Sequence, residues 1–251
     1  MSTLILTSRA CADTQRLWRA AIARDWEIDR HRGPTLPETI GPPPYVLYTE
    51  EVYAAAVASL LGVQLVEPSL DWLANLPGEY AQRWIRFTTM GKARDARHPQ
   101  FVKPPNDKSF EARVYDSGLA LPSHIPEQAQ VLVADPVEWV IEFRCFVLDR
   151  RVITLSPYLR EGILLESVGF VADEAEICAA RKFAEQLLND AAVDVPSAVV
   201  LDVGYIKNRG WGAIELNSAT SSGIYGCDAD SILDVLAHAT RPIQQKPTTE
   251  N

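Results

Sequence analysis

The residues best suited to chemistry lie in the run from Val199 to Asn217. Asn208, Arg209 and Gly210 are turn formers, so the run predicts a β-hairpin. With the turn centred between Asn208 and Arg209, Asp202 falls opposite Glu215, and Asn217 lies two residues on along the same face. Facing carboxylates repel unless a cation joins them. Two carboxylates and an amide oxygen are hard donors of the kind Mg²⁺ takes beside substrate phosphates. A solvated outer face of the hairpin fits the pattern too, and a three-residue turn would break the pairing.

Basic residues recur upstream. Phe101-Val102-Lys103 ends in a lysine, and a polar loop holding Asp107, Lys108 and Ser109 follows. A strand-end lysine beside such a loop can grip phosphate as a point charge, although a solvated lysine fits as well. The loop lacks the glycines common in phosphate-cradling loops. The segment 139–147 alternates at period two, so Glu142 and Arg144 share a face, either as a cleft wall or as a structural ion pair. Tyr158 and Arg160 follow as similar candidates. Cys227 has no base to pair with and reads as a buried thiol.

These side chains need a frame. Residues 3–7, 45–48 and 63–66 read as strands, and 14–24 and 50–61 as helices, with Asp13 and Thr49 as N-caps. This β-α-β-α-β order predicts a small parallel sheet. Residues 70–98 read as polar helix broken at Pro77-Gly78. Strands are expected at 101–103 and 131–133, and a hairpin over 138–157 turning at Asp149-Arg150. A helix is expected over 174–189, opened by a capping pattern of Asp173 and Glu176. The hairpin 198–217 and a helix around Ile232–Ala239 follow, then a frayed polar tail from Gln244.

Composition sets outer limits. With 251 residues, 47% of them hydrophobic, the chain can bury a sizeable core as one large domain or two small ones. A net charge of −9 argues against general nucleic-acid binding. No apolar run approaches the roughly 20 residues of a membrane helix, and the N-terminus lacks the basic start of a signal peptide. A cytoplasmic chain without membrane contact is expected. Cys11, Cys145, Cys178 and Cys227 show no metal spacing and are expected as reduced thiols; the four histidines are isolated.

In order along the chain, the motifs resemble the ATP-grasp ligases, closest to the clade named for two arginines and a lysine, with a pattern related to tubulin tyrosine ligase and ribosomal-protein glutamate ligases. The resemblance spans roughly 70–240. It rests on Phe-Val-Lys-Pro at 101–104, Glu-Phe-Arg-Cys-Phe-Val at 142–147 and Ser-Pro-Tyr-Leu-Arg at 156–160. Leu-Asp-Val-Gly at 201–204, Ile-Glu-Leu-Asn at 214–217 and Ser-Ser-Gly-Ile-Tyr-Gly-Cys-Asp at 221–228 complete it. It implies an α/β fold: a small N-terminal α/β domain (1–68), a lid subdomain and hinge (69–136) and a C-terminal core (137–251), clamping a nucleotide between antiparallel sheets.

The resemblance also implies roles. Lys103 and Lys108 would grip ATP phosphates, Lys92 being the one candidate for an earlier lysine. The hinge from Val131 to Pro136, centred near Val133, would read adenine through its backbone, with Asp135 or Glu138 beside adenine and ribose. Glu142 would be a ribose or active-site acid. Arg144 and Arg160 would contact phosphate and acyl-phosphate. Asp202, Glu215 and Asn217 would hold Mg²⁺, with Mn²⁺ as an alternative. Ser221, Ser222, Tyr225 and Cys227, just past the metal segment, are candidates to line the acceptor pocket. The implied reaction joins a carboxylate to an amine or thiol, small-molecule or peptide, with release of ADP and phosphate. A phosphotransferase or a nucleotide-binding module without turnover remains open, and the oligomeric state is not legible.

Overall fold

The computed structural model describes residues 2–105 and 107–243. The chain starts with β1 (Thr3–Thr7), α1 (Ala12–Ala23), β2 (Glu27–His31), β3 (Tyr45–Tyr48), α2 (Glu51–Leu60) and β4 (Val63–Leu65). β1 is buried along its whole length and lies between β2 and β3, both parallel to it. A continuous apolar strand in a parallel sheet wants cover on both faces. α1 packs beside one face through Leu17 and Ala21, and α2 beside the other through Val57 and Ala58.

The expected parallel sheet forms, but with a different third strand. β2, Glu-Ile-Asp-Arg-His, carries too many charges to read as a strand and sits at an edge, while β4 leaves the sheet. The caps differ as well: Cys11 and Glu50 hold the N-cap positions of α1 and α2. Asp13 instead accepts from Tyr48 Oη at 3.2 Å and from the Ile224 amide at 3.0 Å.

Residues 70–98 depart furthest from the expected helix. A 3-10 turn (Trp72–Asn75) and α3 (Gly78–Ala81) are followed by β5 (Ile85–Thr89) and α4 (Met90–Arg94). Ile-Arg-Phe-Thr-Thr is rich in β-branched and aromatic residues, and tertiary pairing holds it as a strand. β6 (Gln100–Lys103), β7 (Arg113–Tyr115) and β8 (Gln130–Ala134) complete an antiparallel sheet of order β5-β8-β6-β7. Met90, Val102, Tyr115, Val131 and Val133 pack under one face of it.

β9 (Trp139–Leu148) and β10 (Arg151–Arg160) form the expected hairpin. Asp149 and Arg150 take φ of 46° and 62°, the positive values a tight two-residue hairpin turn needs. β11 (Ile163–Leu164), α5 (Glu174–Asn189), β12 (Ala198–Ile206), β13 (Gly210–Ser218), α6 (Ala229–Leu236) and β14 (Thr240–Pro242) follow; β14 pairs with β4. The capping box of Asp173 and Glu176 opens α5.

The second sheet runs β11-β10-β9-β12-β13. On one face α5 packs Ala180, Ala184, Leu187 and Leu188 against Phe143, Cys145, Leu201 and Val203. On the other, α6 and α1 cover Phe146 and Val200. Cover on both faces is why Asp202, in mid-strand, is wholly buried. The polar tail expected from Gln244 lies outside the described residues. No helix among the described residues is long and apolar enough to cross a membrane.

Candidate functional site

The acidic hairpin forms the expected pair by an unexpected route. Ile206 pairs with Gly210 and Val203 with Ala213, so three residues, Lys207 to Arg209, make the turn. That register alone would leave Asp202 opposite Ile214. A bulge at Ile214 adds one residue to β13 and sets Asp202 opposite Glu215. Successive strand side chains point to opposite faces. The bulge relaxes this rule locally, and Ile214 and Glu215 both reach the same cleft.

The cleft has two chambers. The first, about 360 Å³, is polar: Lys103, Lys108, Arg144, Glu215 and Asn217 line it, with Tyr225 from the loop before α6. The second, about 320 Å³, is largely apolar: Leu132, Ala134, Phe101, Trp139 and Ile214 line it, with Asp135 and Arg83 as polar members. Lys103 and Glu215 belong to both. At this junction Lys103 Nζ donates to Glu215 Oε2, and Asn217 Nδ2 donates to Glu215 Oε1 at 2.8 Å. Burial alone would raise the Glu215 carboxyl; Lys103, Asn217 and Arg144 hold it at about 2.

Arg144 is held on every side. Its Nε and Nη2 donate to the two Asp202 oxygens at 2.9 and 2.6 Å, and Nη1 donates to the Gly223 carbonyl at 3.0 Å. The guanidinium lies 4.8 Å from the Tyr225 ring centroid and 5.5 Å from that of Tyr158, and the two rings stack at 4.9 Å. Burial works against its charge, but Asp202 raises its pKa above the ordinary arginine value. A charge fixed this way meets its target without reorganisation.

The structure does not gather every expected residue. Val133 packs its side chain under the first antiparallel sheet, and its backbone is paired on both sides, with Arg86 and Val102, so Leu132, Ala134, Asp135 and Val137 face the apolar chamber in its place. Glu138 lies outside both chambers because it is exposed and accepts from Lys207 Nζ at 2.7 Å. Arg160 is drawn away by Glu176 of α5, to which it donates twice, at 3.0 and 2.8 Å. Glu142 faces a third cavity, where Tyr158 Oη donates to its Oε2 at 2.7 Å. Lys92 sits exposed on α4.

Ser221, Ser222 and Tyr225 line the polar chamber. Cys227 is buried, and burial pushes its thiol up to about 12, which leaves it no nucleophile at neutral pH. Reading the sequence missed Arg83 and Trp139. Arg83 donates to the carbonyls of Ala81 and Ala213 and lies 5.0 Å from the Trp139 ring centroid. Burial, helped by Arg209, lowers its pKa to about 10. It precedes a strand that reads as helix, so nothing local marks it. Glu51 and Glu67 at the polar chamber's mouth carried no local signal either.

The donor set sets limits on a metal. Glu215 and Asn217 lie side by side in the polar chamber, and two such donors suit a divalent cation that also binds phosphate oxygens and water. Asp202 does not fit as a third ligand here, because Arg144 engages both of its oxygens. Among the described residues, no three His, Cys, Asp or Glu side chains cluster as a metal site.

Residues 80–235 match the ATP-grasp domain, family 2 of the clade named for two arginines and a lysine. Among solved structures, the chain resembles a RimK domain protein ATP-grasp from Sphaerobacter thermophilus, at 14% identity and a TM-score of 0.54, over 94% of this chain and 99% of that one. The ATP-grasp ligase PsnB, complexed with its minimal precursor, aligns at 14% identity and a TM-score of 0.54 over 94% of this chain and 98% of its own. D-alanine–D-alanine ligase from Bacillus anthracis aligns at 12% identity and a TM-score of 0.50, over 95% and 97% of the two chains. At such identities the likeness is one of fold. Among curated proteins none matches the sequence.

Proposed function

Because this chain belongs to the ATP-grasp domain, in family 2 of the two-arginine-and-lysine clade, we propose that it is an ATP-dependent ligase that joins a carboxylate to an amine, or to a thiol, through an acyl-phosphate. The observation that carries this reading is the pair of chambers of opposite polarity meeting at Lys103 and Glu215. Such a cleft suits a ligand with a flat base at one end and charged phosphates at the other. The base enters against Leu132, Trp139 and Ile214, with Asp135 at its edge.

The phosphates lie in the polar chamber, where Lys103 and Lys108 supply point charges. Lys103 exchanges Glu215 for a phosphate oxygen. Glu215 and Asn217 would hold Mg²⁺, which when bound neutralises phosphate charge. Arg144 offers its remaining N–H groups to the transferring phosphoryl group, while Asp202 keeps the guanidinium in place.

The γ-phosphoryl passes to the substrate carboxylate and ADP is released. The amine then attacks the acyl carbon, the C–N bond forms as the bond to phosphate breaks, and inorganic phosphate leaves. The chain's own residues contribute position and charge rather than covalent chemistry. Residues 1–68 belong to the acceptor side, since Glu51 and Glu67 close the polar chamber from there. Residues 69–136 form the lid and hinge, and the core begins at 137.

The test is calorimetric binding of a non-hydrolysable ATP analogue, with and without Mg²⁺, to the wild type and to Glu215→Gln. Mg²⁺-dependent binding that the variant loses supports the reading; no binding to the wild type ends it. In turnover, AMP and pyrophosphate in place of ADP and phosphate would exclude the acyl-phosphate route. A stable phosphorylated product without an amide would identify a phosphotransferase.

A further inference from the structure

A third cavity, about 610 Å³, opens beside the ends of β9 and β12 and shares Trp139 with the apolar chamber. Glu142, Glu161 and Trp139 line it, and Glu138 and Lys207 at its rim neutralise each other. Glu142 is only 9% exposed. Tyr158 occupies its Oε2, and among the described residues no hydrogen bond reaches its Oε1. The cavity offers the exposed Glu161 carboxylate, the Glu142 carboxyl open at Oε1 and an aromatic wall, which suits a cationic side chain with an apolar stem.

The chain leaving this cavity has its own unusual surface. Glu161 and Gly162 turn into the two-residue edge strand β11, whose outer side pairs with nothing among the described residues. Ile163 is 70% exposed, Leu164 43%, Val168 55% and Val171 63%, all within nine residues. Aliphatic side chains so concentrated on a surface mark a contact site. From 161 to 176 the chain carries five acidic residues and no lysine or arginine, and among the described residues only Glu176 of the five has an ion-pair partner. The next residue but one after Val168, Phe170, packs against Tyr225 at 5.7 Å between centroids, and Tyr225 lines the polar chamber. The surface is thus tied to the cleft where chemistry is proposed.

We propose that the cavity at Glu142 and Glu161, together with the aliphatic stretch 163–171, binds an extended peptide segment carrying a lysine or arginine next to aliphatic residues. The basic side chain enters the cavity. The aliphatic residues cover Ile163, Leu164 and Val168, and the peptide backbone runs along the open side of β11. That this peptide is the part of a ligase substrate remote from its reacting group rests on the proposed function; the binding itself does not.

The test is calorimetry at low salt with the full chain and two capped hexapeptides, one alternating lysine with leucine and one alternating glutamate with leucine. The lysine peptide should bind the wild type, and binding should fall at least tenfold in Glu161→Gln/Ile163→Ser. Both positions are exposed, so the variant should keep its fold, which its circular dichroism checks. The glutamate peptide should not bind. No binding by the lysine peptide, equal binding by the variant, or equal binding of the two peptides would overturn the proposal. The ATP analogue is titrated into the same samples. Its retention while the peptide fails would sink this proposal alone, whereas its loss in the wild type would sink the nucleotide reading and leave the peptide result standing.

Discussion

At the scale of single residues, the site is a set of charges held by other charges. Glu215 stays ionised because Lys103, Asn217 and Arg144 outweigh its burial. Removing Lys103 should weaken nucleotide affinity twice over, through a lost phosphate contact and an uncompensated Glu215. Lys103→Ala should therefore lower affinity for the ATP analogue by at least tenfold in calorimetry, about 1.4 kcal/mol or more. Glu142 behaves oppositely. Burial, with Asp202 and Glu215 nearby, raises its carboxyl from an ordinary 4.5 to about 7 against the Tyr158 hydrogen bond. Between these values the folded chain keeps a proton that the unfolded chain has lost. Stability thus falls as pH rises through this window and is lowered by up to about 3 kcal/mol above it. Glu142→Gln should be more stable than the wild type at pH 8 and should lose that advantage at pH 4.5, as read from urea midpoints at both pH values.

At the scale of elements, close backbone approach shapes the apolar chamber. A Cβ on Gly204 of β12 would lie 2.7 Å from Trp139 Cε3 and 3.0 Å from both the Ile141 carbonyl and Ile214 Cδ1. Gly204→Ala should therefore destabilise the fold by about 1–3 kcal/mol through overpacking. It should also displace Trp139 and Ile214, lowering affinity for the base more than for pyrophosphate, a contrast that titration of adenosine against pyrophosphate would detect. The hairpins show which elements are readable locally. Asp149-Arg150 between alternating strands and the capping box before α5 are complete within a few residues, and both form as read. β5 is not readable this way, because its strand state depends on pairing with β8, about 45 residues away in sequence.

At the scale of the whole molecule, nucleotide binding should appear as stability. A ligand that binds only the folded chain at 100 times its Kd adds about 2.7 kcal/mol. For a chain of 251 residues that amounts to roughly 5–10 °C in Tm. The ATP analogue with Mg²⁺ should give this shift in differential scanning calorimetry, and the analogue with EDTA a smaller one. An equal shift in both conditions would argue against Glu215 and Asn217 as a metal site.

Local chemistry along the chain was enough to specify most classes of element, the two hairpins and the residues that meet at the junction of the chambers. Glu215 carries a local signal, since a charged side chain in an apolar strand is costly without a partner, whereas Lys103 at a strand end reads equally as a solvated lysine. How the remaining charges are shared was settled by the packed fold. Arg160 and Glu138 were taken up by Glu176 and Lys207, partners that line neither chamber. Asp202 was claimed by Arg144 from a neighbouring strand, and the bulge at Ile214 repaired a register that the turn would have broken. Pairing of this kind depends on which strands become neighbours. Strand order is set by how helices bury the two faces of each sheet, an energy summed over the whole chain rather than written in any one motif.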